Sequence, residues 1–132
     1  MFRRIRIQTT KPQQFIDITN MVASEVKNSN VREGIAVVYV PHTTAGVTIN
    51  ENADPSVVRD LISALDKTYP IKADYLHAEG NSHAHIKASL MGSSCTVIIQ
   101  DGKLLLGNWQ GIYFCEFDGP RNREFYMKII EG

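Results

Sequence analysis

Side chains able to do chemistry crowd into two stretches of the sequence. One is His42-Thr43-Thr44-Ala45-Gly46-Val47-Thr48-Ile49-Asn50-Glu51-Asn52-Ala53-Asp54, the other His77-Ala78-Glu79-Gly80-Asn81-Ser82-His83-Ala84-His85-Ile86-Lys87, and together they contain all four histidines. Imidazoles with a carboxylate are a usual ligand set for zinc or a related divalent ion, three protein groups leaving one position open to water. The spacing is that of neither HExxH nor a Cys/His zinc finger, so the metal expectation rests on residue type and clustering. Glu79 and Glu51 are the acid–base candidates, because a carboxylate beside an imidazole or an ion in a partly desolvated pocket titrates closer to neutrality. A third cluster, Asp118-Gly119-Pro120-Arg121-Asn122-Arg123, adds two guanidinium groups. With Lys87, Arg121 and Arg123 offer a phosphate or pyrophosphate clamp; the competing reading is a strand turn whose arginines pair with Glu116 and Asp118.

The elements that must carry these residues read as a mixture of strands and helices. Phe2 to Thr9 has the composition of a first strand with basic side chains facing water, and Thr19 to Lys27 the spacing of a short amphipathic helix behind a Thr19 cap. Gly34 to Pro41 is apolar on both alternating faces, the pattern of a central strand covered from both sides. Ala45 to Asn50 reads as the next strand. Asp54-Pro55 then supplies a cap and a first-turn proline for a helix whose Val57, Val58, Leu61, Ile62 and Leu65 form a stripe suited to lying on a sheet. After a loop from Tyr69 to Ser82, His83 to Met91 reads as a short helix closed by Gly92. Residues two apart on a helix point roughly 200° away from each other, so His83 and His85 cannot serve one site, and His83 is expected on the solvated side. Cys95 to Gln100 and Lys103 to Leu106 flank Asp101-Gly102, a type I′ hairpin pair, and Gly111 to Phe117 and Phe125 to Ile130 supply the last strands. About seven strands and two or three helices, with local strand pairs in the second half, indicate an α+β fold on a largely antiparallel sheet over 1–132 as one domain.

Composition excludes several functions. The 132 residues carry 14 Lys plus Arg against 14 Asp plus Glu, so no long-range positive field exists to hold a nucleic-acid backbone or an anionic membrane. No apolar run approaches the roughly 18 residues that cross a bilayer, and the start of the chain lacks a signal peptide's apolar block, so the expected location is the cytoplasm. Cys95 and Cys115 form no CxxC pair and read as core residues.

Four blocks in order carry a resemblance: His42 to Glu51 with Asp54-Pro55; His77-Ala78-Glu79-Gly80-Asn81 with Ala84-His85-Ile86-Lys87-Ala88-Ser89-Leu90; Gly107-Asn108-Trp109-Gln110-Gly111-Ile112; and Glu116-Phe117-Asp118-Gly119-Pro120-Arg121. The chain resembles the YjbQ-like proteins, to some of which a secondary thiamine-phosphate synthase activity is attributed. The resemblance implies a strongly bent sheet, a homotrimer, and a cleft where the polar blocks meet. It makes His42, His77 and His85 the metal-ligand candidates, for zinc first and magnesium or manganese as alternatives, and matches Glu79, Asn50, Asn81 and Arg121. The implied site has Glu79, His85 and Asn50 as catalytic groups, with Lys87, Arg121, Arg123, Asn81 and Thr44 holding a phosphorylated small molecule. The implied reaction joins hydroxymethylpyrimidine diphosphate to thiazole phosphate with loss of pyrophosphate. Metal-dependent hydrolysis of a phosphate ester, and a non-catalytic trimeric metal- or anion-binding module, are the alternatives.

Overall fold

The alternation and turn signals resolve, in a computed structural model that describes residues 1–132, into eight strands and three helices. Their order is β1 (Phe2–Gln8), β2 (Gln14–Asp17), α1 (Thr19–Ser29), β3 (Gly34–Tyr39), β4 (Ala45–Glu51), α2 (Pro55–Thr68), α3 (Ser82–Met91), β5 (Ser94–Gln100), β6 (Lys103–Leu104), β7 (Gln110–Glu116) and β8 (Asn122–Glu131). Every strand pair is antiparallel, in a five-stranded sheet β1-β8-β3-β5-β6 and a three-stranded sheet β2-β7-β4. The fold class is the α+β, antiparallel one expected. The eighth strand, β2, is a four-residue piece whose Phe15 and Ile16 carry too little pattern to announce it.

Two cores lie one on each side of the smaller sheet. Val47, Ile112 and Phe114 face the five-stranded sheet and meet Ala36, Val38, Val97, Phe125, Met127 and Ile129, with Val22 and Val26 of α1 closing the same cluster. Tyr113 and Cys115 point the other way, into a smaller cluster with Phe117 and with Ala84 and Ala88 of α3. β3 is third of five, central as its sequence demanded. Only its Ala36 and Val38 are buried; the opposite face, with rows Ile130–Ile35–Ile98 and Lys128–Val37–Thr96, is half-buried to exposed.

Local chemistry explains the ends of the elements. Asp54 caps α2 by accepting from the Ser56 N–H at 2.9 Å, with Pro55 in the first turn. Yet no residue of α2 is fully buried: its stripe touches the small core only at Val58 and Leu65 instead of lying across a sheet. Thr19 is not the cap of α1. Ile18 holds that position, Asp17 accepts from the Thr19 N–H and hydroxyl, and the Thr19 oxygen accepts from the Ile112 N–H. Asp101 and Gly102 both take positive φ, 54° and 75°, as the type I′ turn between β5 and β6 requires. No helix is long and apolar enough to cross a membrane.

Candidate functional site

The link from β3 to β4, the loop before α3, the first turns of α3 and the turn between β7 and β8 converge on one cleft of about 480 Å³. His42, His77, Glu79, Asn81 and His85 line it together with Thr44, Asp118, Arg121 and Arg123. Residues from all three polar segments of the sequence therefore meet.

His42 follows the end of β3, and its ring is fixed by β8. Nε2 lies 3.0 Å from both the backbone N–H and the carbonyl of Glu124, accepting from one or donating to the other according to tautomer. Nδ1 is thus the atom left for a ligand. Burial, with the positive charge of Arg123 second, lowers the His42 pKa from its ordinary value. The second histidine arrives by a turn: the Gly80 N–H bonds the His77 carbonyl, with Gly80 at φ 76°. That turn brings Glu79 back to His77, with Nε2 and Oε1 4.0 Å apart. The rings of His77 and His85 stand edge to face, centroids 5.5 Å apart. His42, His77 and His85 thus share a cleft, but no three His, Cys, Asp or Glu side chains stand at the spacing that would hold an ion between them.

The guanidinium groups differ. Arg123 is buried and donates from Nε to Glu116 Oε1 at 2.8 Å and from Nη2 to Thr44 Oγ1 at 2.8 Å, with a further bond to Glu116 Oε2. Glu116 also accepts from the Thr9 hydroxyl at 2.7 Å. Burial alone would raise the Glu116 pKa, but the bonds from Arg123 and Thr9 override it and hold the carboxyl below its usual value. Arg121 is half exposed, and donates from Nη2 to Asp118 Oδ2 and from Nε to the Asp118 carbonyl. Asn81 donates to that same Asp118 oxygen at 2.8 Å, leaving its own buried Oδ1 without a partner. The pairing of both arginines with Glu116 and Asp118, weighed above against a clamp, is realised; both line the cleft, and of the two only Arg121 is substantially exposed.

Several sequence expectations need correction. Lys87 is no phosphate ligand: its fully buried ammonium bonds Asp66, Gln13 Oε1 at 3.1 Å and His83 Nδ1 at 2.9 Å, which uses all three donors. Arg123 lines the cleft, but Glu116 balances its charge and its Nε and Nη2 bonds are made inside the fold. His83 is buried rather than solvated, since residues four apart on α3 bring it onto Lys87; burial, then the Lys87 charge, lowers its pKa. Asn50 is outside the cleft, five residues along β4 from Ala45 and so roughly 17 Å away, with its Oδ1 on the Glu51 N–H. Glu51 shares that far end of the strand, its carbonyl accepting from Tyr113. Thr44 reaches the cleft, but with its hydroxyl oxygen already accepting from Arg123. Asp118 holds both Arg121 and Asn81, and nothing in its sequence spacing marks it for more than pairing with an arginine.

The family described as "UPF0047 protein YjbQ-like" matches residues 3–132. UPF0047 protein MJ1081 of Methanocaldococcus jannaschii is 58% identical over 130 residues, covering 98% of this chain and 94% of that one. UPF0047 protein YugU of Bacillus subtilis is 49% identical, covering 98% and 99%. Among solved structures, an uncharacterized conserved YjbQ/UPF0047 protein of Clostridium acetobutylicum superposes with a TM-score of 0.96 at 62% identity, covering 97% and 99%. A protein of unknown function from Sulfolobus solfataricus keeps a TM-score of 0.95 at 29% identity, covering 100% and 97%.

Proposed function

Because the chain belongs to the UPF0047 YjbQ-like family, whose relatives above carry no named activity, we propose from the site itself that it is a phosphate-ester hydrolase. The reading rests on one observation: His42, His77, His85, Glu79 and Arg121 open onto a single polar cleft. The exposed face of Arg121 attracts the phosphate. Water attacks phosphorus, a new P–O bond forms and the ester P–O bond breaks. One imidazole, with Glu79 beside His77, takes the proton from water, and a second gives a proton to the departing alkoxide, each positioned transfer contributing about 10²–10⁴-fold.

The coupling of two phosphorylated heterocycles is the second reading, implied by the resemblance. It asks for simultaneous hold of a diphosphate and a phosphate, and with Lys87 buried and the charge of Arg123 balanced by Glu116 the cleft offers one half-exposed guanidinium. That favours a single phosphate. The donor set also suits a divalent ion in chemistry: His42 through Nδ1, His77 and His85 would hold it, and the ion would stabilise negative charge on the phosphate. The half-exposed face of Ile35, Val37, Ile98 and Ile130 supports the homotrimer implied by the resemblance, and light scattering at micromolar protein tests it.

The deciding experiment is release of inorganic phosphate from a panel of phosphate monoesters, with and without added zinc, magnesium or manganese. Turnover that falls by about 10²-fold or more in His85→Ala supports the hydrolase. Formation of thiamine phosphate from its two precursors, lost in the same variant, would put the coupling reaction in its place. Stoichiometric phosphate binding without either reaction would leave a binding module.

A further inference from the structure

His42, Thr43 and His85 line two hollows. The first is the charged cleft described above; the second, of about 510 Å³, is completed by Ala45, Ala88, Ser89, Gly92 and Ser93. It exists because small residues meet where the end of α3 passes the start of β4. A Cβ on Gly46 would stand 2.7 Å from the Gly92 carbonyl, so only glycine lets strand and helix end approach so closely.

The two linings ask for different chemistry. Apart from the shared imidazoles, the second hollow holds no ionisable side chain, no aromatic ring and no aliphatic group larger than the methyls of Ala45 and Ala88. Beyond the imidazole nitrogens its side-chain polar atoms are hydroxyls, and Ser89 already donates to the His85 carbonyl at 2.8 Å, which leaves its oxygen to act as an acceptor. Beyond those imidazoles a flat heteroaromatic ring finds no stacking surface there, whereas a short carbon chain bearing hydroxyls finds partners for its donors and methyl groups for its carbons.

On the reading that phosphate occupies the charged cleft, we propose that the ligand is a phosphomonoester of a small polyol: its phosphate lies beside Arg121, its hydroxylated carbons fill the hollow between Ala88 and Ser93, and its ester oxygen faces His42 and His85. The hollow then selects the organic group and the cleft the phosphate.

Calorimetric titration of the full chain with inorganic phosphate, glycerol 3-phosphate and phenyl phosphate tests this. Glycerol 3-phosphate is expected to bind about tenfold tighter than inorganic phosphate and tighter than phenyl phosphate. Ser93→Trp, at an exposed position, is expected to remove that preference while leaving inorganic phosphate unaffected, and Ser89→Gln on the exposed face of α3 repeats the test should Ser93→Trp not fold. Equal affinity for glycerol 3-phosphate and inorganic phosphate, preference for phenyl phosphate, or a preference untouched by both substitutions would overturn the polyol assignment while the phosphate reading stands. No binding of any of the three would overturn the phosphate reading and this assignment with it.

Discussion

Two groups of ionisable side chains meet at Arg123 and Thr44 and share one turn of chain, yet they are opposite in kind. On the inner side, Arg123, Glu116, Thr9 and Thr44 are buried and bonded to one another. The outer side has the half-exposed Arg121 and the cleft-lining His77, Glu79 and His85, with few bonds beyond the Asp118 pairing of Arg121. The Lys87–Asp66–His83 cluster repeats the inner pattern under α2. Where a charge is withdrawn from water, its partners must be supplied within the fold, and little bonding capacity remains for a ligand. Where water still reaches, the bonding capacity stays open to a substrate.

Breaking the inner cluster should cost the most. Glu116→Ala leaves Arg123 buried and unpaired, and the unfolding free energy should drop by about 3–5 kcal/mol in urea titration; a loss below 1 kcal/mol would mean that the pair is solvated and the contrast false. Lys87→Ala should cost less, about 1–3 kcal/mol, because its Asp66 partner is 37% exposed and can be hydrated when the ammonium is removed.

The pH dependence sharpens the same contrast. His42 and His83 both have folded pKa values lowered from 6.5, by burial first. The unfolded chain therefore binds their protons more readily, so this contribution is complete above the ordinary imidazole value, falls as pH drops below it, and levels off below the folded values. Thermal melts should show that decline starting below about pH 6.5, and His83→Gln should flatten it. Glu116, lowered from 4.5, adds a separate loss at more acid pH. The smallest effect belongs to the cleft: His77→Ala should change stability by no more than about 0.5 kcal/mol while abolishing most phosphate release. A large destabilisation in that variant would move His77 to the structural side of the comparison.

Much of this was legible in the chain before any coordinates. Periodicity located β1, β3, β4, β5, β7 and β8, and the Asp54-Pro55 and Asp101-Gly102 pairs marked a helix start and a hairpin, because these signals depend only on neighbours in sequence. The gathering of His42, His77, His85 and Glu79 followed from the resemblance and from the clustering of polar residues that had no structural need of one another. The burial of His83 is not legible: its place on a helix follows from the local pattern, but a polar side of a helix is solvated only if nothing packs there, and α2 brings Asp66 over it.

The sequence by itself determined which segments become strands, helices and turns, and which residue types could do acid–base or anion chemistry. Only the tertiary structure decided which of those groups remain available. Lys87, Arg121 and Arg123 are equivalent as cations in a string of letters. What separates them is that Asp66 and Glu116 arrive from distant elements to neutralise two of them out of water, while Asp118 pairs with the third at the surface. Burial and pairing belong to the packed arrangement, and no local pattern encodes them.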